Sequence, residues 1–287
     1  MKNLILRGIT GTAFVAAIVA ALTVHPYAFL CLFATVVGLA LWEFYGLTEH
    51  MDRAPTDAAA PPAPRTADRL WGIAAGMYLF TATFLYASGR WGIIVYMPYF
   101  VFLIGALVSG LYHRGGNPIT RWAIGLFAQA YVAGSFALLN FIVFRPDPPT
   151  FHSHYALLLF VLIWLNDTGA YAVGSTLGRH RLFPRISPGK SWEGFVGGLV
   201  IVWIAALLLA PFFPELAWYH RLMLATVIVG FGTWGDLVES LIKRTCGAKD
   251  SGSLLPGHGG ILDRFDSVML ATPAALLYLE MVRCMGQ

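Results

Sequence analysis

Charge is scarce in this chain. Asp, Glu, Lys and Arg make up only 12% of its 287 residues, while apolar types make up 57%. A soluble domain carries about 25% charged residues, so this chain has too few to build a polar shell in water. Lipid must replace water over most of its surface. Cysteine is scarcer still. Cys31, Cys246 and Cys284 lie far apart and form no C-x-x-C pair, which argues against a disulfide framework or a zinc site. No basic stripe interleaves with aromatics, so nucleic acid is not an expected partner.

Long apolar runs are abundant. A spanning helix needs roughly 20 apolar residues. Nine candidate segments approach that length, over 8–24, 27–47, 70–88, 92–112, 121–144, 154–175, 193–211, 221–241 and 262–283. They predict an all-α polytopic membrane protein of about nine transmembrane helices. The first run follows Lys2 and Arg7, as in a signal peptide. Similar runs succeed it all along the chain, so it reads as a retained first span. His25-Pro26 suits a tight turn between the first two spans.

The runs divide the chain into an N-terminal hairpin (1–47), a linker (48–69), middle helices (70–152) and a C-terminal bundle with its loops (153–287). The linker, TEHMDRAPTDAAAPPAPRTADR, mixes proline, alanine and both charge signs and cannot build a core. Fifteen of the 19 Lys and Arg residues fall at the N-terminus and in alternate loops. That bias predicts a cytoplasmic N-terminus. No internal repeat supports an inverted-repeat transporter.

The chemistry concentrates in SLIKRTCGAKDSGSLLPGHGGILDRFD, from Ser240 to Asp266. Lys243, Arg244 and Lys249 put three cations in one short stretch. Glycines, among them Gly259 and Gly260, allow close backbone approach to a ligand. Asp263 and Asp266 follow at i, i+3 on one helix face. Asp236 lies in the preceding apolar run, with Ser240 and Lys243 on its own face. An acid there is costly without a partner. Three carboxylates beside a cationic stretch suit Mg²⁺ shared with a polyphosphate. Plain salt bridges could explain any one of these acids, but they do not call for the density of glycine. Glu43, beside Trp42 at the inner end of the second span, reads as an interfacial residue.

The same stretch resembles the signature of the phosphatidate cytidylyltransferases. Ser240, Lys243-Arg244, Lys249-Asp250, Gly252, Pro256, His258-Gly259-Gly260 and Asp263-Arg264-Phe265-Asp266 match its fixed positions. Two weaker blocks are similar to that family as well: Asn166-Asp167 with Ala170-Tyr171, and Ser187-Pro188-Gly189-Lys190-Ser191-Trp192-Glu193-Gly194. Gly189-Lys190-Ser191 also looks like the tail of a P-loop. That motif needs a glycine where Pro184 stands, so Lys190 is better read as a phosphate-directed charge.

The resemblance implies an integral protein of the bacterial inner membrane that joins CTP to phosphatidic acid on the cytoplasmic face. Membrane lipids are its surroundings, and the sequence leaves a homodimer open. Asp236, Lys243, Asp263 and Asp266 are the expected catalytic residues, with the three acids holding Mg²⁺ and a second cation left open. Arg244 and Lys249 would neutralise the CTP phosphates, assisted by Arg264. His258, Gly259 and Gly260 would contact the ligand, and Ser187, Ser191, Ser240 and Asp250 belong to the same substrate set. Asp167 would orient substrate or join Asn166 in a helix–helix polar contact. The nucleophile would be a phosphate oxygen, already ionised near neutrality because its second pKa is about 6. Alternatives are a CTP-dependent lipid kinase and a transporter. The pattern of a CDP-alcohol phosphotransferase is absent.

Overall fold

In a bilayer every backbone N–H and C=O must find its partner within the chain, so apolar runs of this length become helices. The computed structural model describes residues 2–49, 51, 66–112, 117–145, 148–254 and 259–286. Among them are nine helices: α1 (Lys2–Thr23), α2 (Pro26–Thr48), α3 (Thr66–Ala87), α4 (Met97–Tyr112), α5 (Pro118–Val143), α6 (His154–Leu177), α7 (Trp192–Leu208), α8 (Trp218–Thr245) and α9 (Leu262–Met285). Seven are long and apolar enough to cross a membrane, counting the turn Ile93–Tyr96 with α4. Among the described residues α7 is shorter, at 17 residues, and the apolar stretch Thr10–Thr23 is only part of the 22-residue α1. The chain is an all-α polytopic membrane protein. Most of the expected linker, residues 50 and 52–65, lies outside the described residues, and α3 already begins at Thr66.

The helices fall into two units. The first comprises 1–151 and 245–264. Its core is aromatic: Phe29, Phe33, Phe44, Phe80, Phe84 and Phe136 are fully buried. His25 caps α2 by accepting from the Tyr27 N–H, and Pro26 fills the first turn, where no N–H is needed. A π turn over Gln129–Gly134 interrupts α5. There the buried Gln129 side chain donates to the Gly72 carbonyl and the Tyr45 hydroxyl, tying α5 to α3 and α2. Those helices and α4 line a cavity of about 840 Å³. A two-residue hairpin, β1 (Phe144–Arg145) with β2 (Thr150–Phe151), follows α5.

The second unit comprises 152–244 and 265–287. Here α6 and α7 approach so closely that a Cβ at Gly194 would lie 2.7 Å from the Ala170 carbonyl oxygen. Small residues at helix interfaces permit this contact in lipid, where apolar side chains gain nothing by leaving the solvent. Between these helices β3 (Arg181–Phe183) and β4 (Ser187–Ser191) form an antiparallel hairpin. The stretch that invited comparison with a P-loop is therefore a β-strand feeding a helix.

Candidate active site

In the second unit α8 and α9 meet through glycine. A Cβ at Gly235 would stand 2.5 Å from the Asp266 carbonyl oxygen. This backbone approach carries the next residue, Asp236, to the side of Asp266. Glu239, nearly one turn further along α8, completes the group. One carboxylate oxygen from each of Asp236, Glu239 and Asp266 lies within 4.8 Å of the others. Glu239 is fully buried, while Asp236 and Asp266 are part-exposed. Asp167 adds to the same negative field around Asp266.

Two lysines offset this charge. Lys190, at the end of β4, places Nζ 2.6 Å from Asp236 Oδ2 and 3.5 Å from the Thr233 carbonyl. Lys243 is one turn beyond Glu239 on α8, with Nζ 2.5 Å from its carboxylate. Ser240 Oγ donates to Asp236 Oδ1 at 3.2 Å. The donors are all hard oxygen atoms, as a divalent cation requires. The acids outnumber their lysines even with Asp167 left out, so the group can hold a metal ion.

The β4–α7 junction orders the Lys190 limb. Ser191 is buried, and its Oγ accepts from the Gly194 N–H, capping α7. Glu193 accepts from the backbone N–H of Arg179 and His180 and contacts the His180 ring at 2.6 Å. Ser191 therefore serves the turn. Asn166 is buried with its Oδ1 against Gly198 and without a hydrogen-bond partner among the described residues. Asp167, Arg244, Lys249, Asp250 and Arg264 are exposed, and Ser187 is half-buried. His258 lies outside the described residues.

Asp263 and the loop belong to the first unit. The Asp263 carboxylate accepts from the Gly260 N–H at 2.8 Å and from the Ser251 N–H at 3.0 Å. Its geometry is that of a loop brace, and the Gly260 N–H is already engaged. Gly259 has φ +78°, the left-handed region that favours glycine. Glu43 departs from its expected interfacial position. It is 4% exposed and accepts from Ser251 Oγ and from the Ile261 and Leu262 N–H groups. The sequence offered one sign of this: an acid in an apolar run must find a partner.

Sequence reasoning also passed over Glu239. Its signal was helical spacing, since it lies three residues from Asp236 and four from Lys243.

Comparison with known proteins places the chain in a family. The profile of the Cytidylyltransferase family matches residues 5–282. A phosphatidate cytidylyltransferase of Staphylococcus saprophyticus is 37% identical over an alignment 204 positions long that covers 62% of this chain and 77% of the relative. The same-named protein of Staphylococcus haemolyticus is 47% identical over 152 residues, 53% of this chain and 56% of that one. That of Staphylococcus aureus strain COL is 52% identical over 123 residues, 42% and 46% of the two chains. The latter two matches thus span about half the length of those relatives. With nearly its whole length matched by the family profile, the chain belongs to the cytidylyltransferase family.

Proposed function

We propose that the chain is a phosphatidate cytidylyltransferase, which converts CTP and phosphatidic acid to CDP-diacylglycerol and pyrophosphate at the cytoplasmic face of a bacterial inner membrane. The observation that carries this reading is the cluster of Asp236, Glu239 and Asp266 with Lys190 and Lys243 alongside. Family membership and the names of the relatives support the choice of substrates. The bias of Lys and Arg supports the orientation.

Asp236, Glu239 and Asp266 would hold Mg²⁺, which when bound neutralises phosphate charge and makes the α-phosphorus a better electrophile. In this assignment Glu239 takes the metal-binding place first given to Asp263. Lys190 and Lys243, beside these acids, would supply positive charge to the phosphates. A phosphate oxygen of phosphatidic acid forms the new bond to the α-phosphorus of CTP. The α–β phosphoanhydride bond breaks, and pyrophosphate leaves with the bond electrons. The attacking oxygen is already ionised, so no side chain needs to act as a strong base. The work of the chain is to bring two anions together and stabilise the displaced charge. Arg244, Lys249 and Arg264 are the further cations that the family signature assigns to the nucleotide.

The test is pyrophosphate release by the purified protein in detergent with CTP, phosphatidic acid and Mg²⁺, omitting each in turn. Release that requires all three is expected. With diacylglycerol, whose free hydroxyl can accept a phosphoryl group, supplied in place of phosphatidic acid, release of CDP would establish the lipid kinase instead. Neither product from folded protein would overturn nucleotide chemistry altogether.

A further inference from the structure

Glu43 lies more than 200 residues before the signature loop in sequence, yet it is bonded into that loop. One carboxylate oxygen accepts from Ser251 Oγ at 3.0 Å and from the Leu262 N–H at 2.9 Å; the other accepts from the Ile261 N–H at 3.0 Å. Ser251 belongs to the outgoing limb of the loop, and Ile261 and Leu262 to the returning limb. Ser251 Oγ in turn accepts from the Asp263 N–H at 3.3 Å. Ile261 and Leu262 open α9, and the first N–H groups of a helix have no partner within it. A buried carboxylate there satisfies them and favours the positive end of the helix dipole.

The glycines of the loop are shaped around this carboxylate. A Cβ at Gly252 would come within 2.5 Å of Glu43 Oε1, and one at Gly260 would collide with Glu43 Oε2 and Ser251 Oγ. Both limbs therefore close on Glu43 only because two glycines leave room for it. A residue that merely anchored the hairpin to the bundle would not need a complementary hollow in the loop.

We propose that Glu43 is a positioning residue for the nucleotide: it clamps the two limbs of the signature loop and holds the loop in its CTP-binding form. This rests on the cytidylyltransferase reading, because the family signature is what gives the loop its nucleotide role. The N-terminal hairpin thereby becomes part of the catalytic apparatus without touching substrate. Misplacement of binding groups by about 1 Å costs on the order of 100-fold in rate.

The experiment compares Glu43→Gln, Glu43→Ala, Gly252→Ala and the double variant Glu43→Ala/Gly252→Ala in detergent. It measures kcat, KM for CTP, KM for phosphatidic acid, and amide deuterium exchange across residues 249–264. Glu43→Gln should lower kcat/KM for CTP by about 100-fold, mostly through KM, leave the lipid KM unchanged and speed exchange in the loop. Gly252→Ala should do the same, and in the Glu43→Ala background it should add nothing, since the colliding carboxylate is gone. Additive losses, or faster exchange with unchanged CTP kinetics, would overturn the positioning role. If Glu43 variants do not fold, Ser251→Ala removes one bond of the clamp and is held to the same criteria. If the unaltered protein makes no CDP-lipid, the functional reading fails, while the exchange arm still decides whether Glu43 clamps the loop.

Discussion

Glu43 and Asp263 in the first unit and Asp236, Glu239 and Asp266 in the second are the same chemical group in opposite company. The first pair meets N–H and O–H donors of its own chain, and its charge is spent on holding a loop. The other three meet one another, with Lys190 beside Asp236 and Lys243 beside Glu239. Like charges gathered this closely oppose folding unless something binds them. A carboxylate that serves structure is recognised by its donors, and crowding among acids is what makes the other group the candidate for chemistry.

The sharpest way to break this comparison is to remove single acids. Asp236→Asn and Asp266→Asn should each cut pyrophosphate release about 1,000-fold while leaving the fold intact by thermal unfolding. Asp263→Asn should instead retain measurable turnover and show faster amide exchange over residues 249–264. If all three variants behaved alike, the division between the two groups of acids would fail.

Lys243→Ala comes next. It leaves the fully buried Glu239 without its lysine and should destabilise the protein by about 3–5 kcal/mol. Added Mg²⁺ should recover part of that loss, because a ligand that binds only the folded state stabilises it. Thermal unfolding with and without the ion measures both. Gly194→Ala should cost about 1–3 kcal/mol by forcing α6 and α7 apart, with KM for CTP little changed. Ser191→Ala should cost about 1 kcal/mol as a lost helix cap. A large fall in turnover from that variant would return Ser191 to the substrate site.

Much of this was legible in the sequence, for physical reasons. The long apolar runs dictated helices, and their limits fell close to the observed ones; β4 and α7 meet at Ser191, where a serine before an apolar run signals a cap. Asp236, Asp266, Lys190 and Lys243 stood out because charge inside an apolar protein needs a purpose. Two acids escaped. Glu239 was hidden by its neighbours in the signature, although its spacing put it on their face. Glu43 read as interfacial because its partners are more than 200 residues away, and no local pattern records a long-range hydrogen bond. Asp263 shows the limit of spacing as a signal: i, i+3 puts it on the face of Asp266, yet its carboxylate accepts from the Ser251 and Gly260 amides of the preceding loop.

The length of α8 carries a kinetic consequence. At 1.5 Å per residue its 28 residues span about 42 Å, against a hydrocarbon core of about 30 Å. Measured from Trp218, Asp236 lies about 27 Å along the helix and Lys243 about 37 Å. For a helix along the bilayer normal with Trp218 at one interface, the acids would sit at the edge of the opposite hydrocarbon boundary and the lysine among the headgroups. A lipid phosphate can meet them there without its chains leaving the bilayer. The two substrates then arrive by different kinds of diffusion, the nucleotide from three dimensions and the lipid from two. The rate should follow the mole fraction of phosphatidic acid in the membrane rather than its bulk concentration, so diluting the bilayer with inert lipid would slow the enzyme at a fixed total amount of substrate.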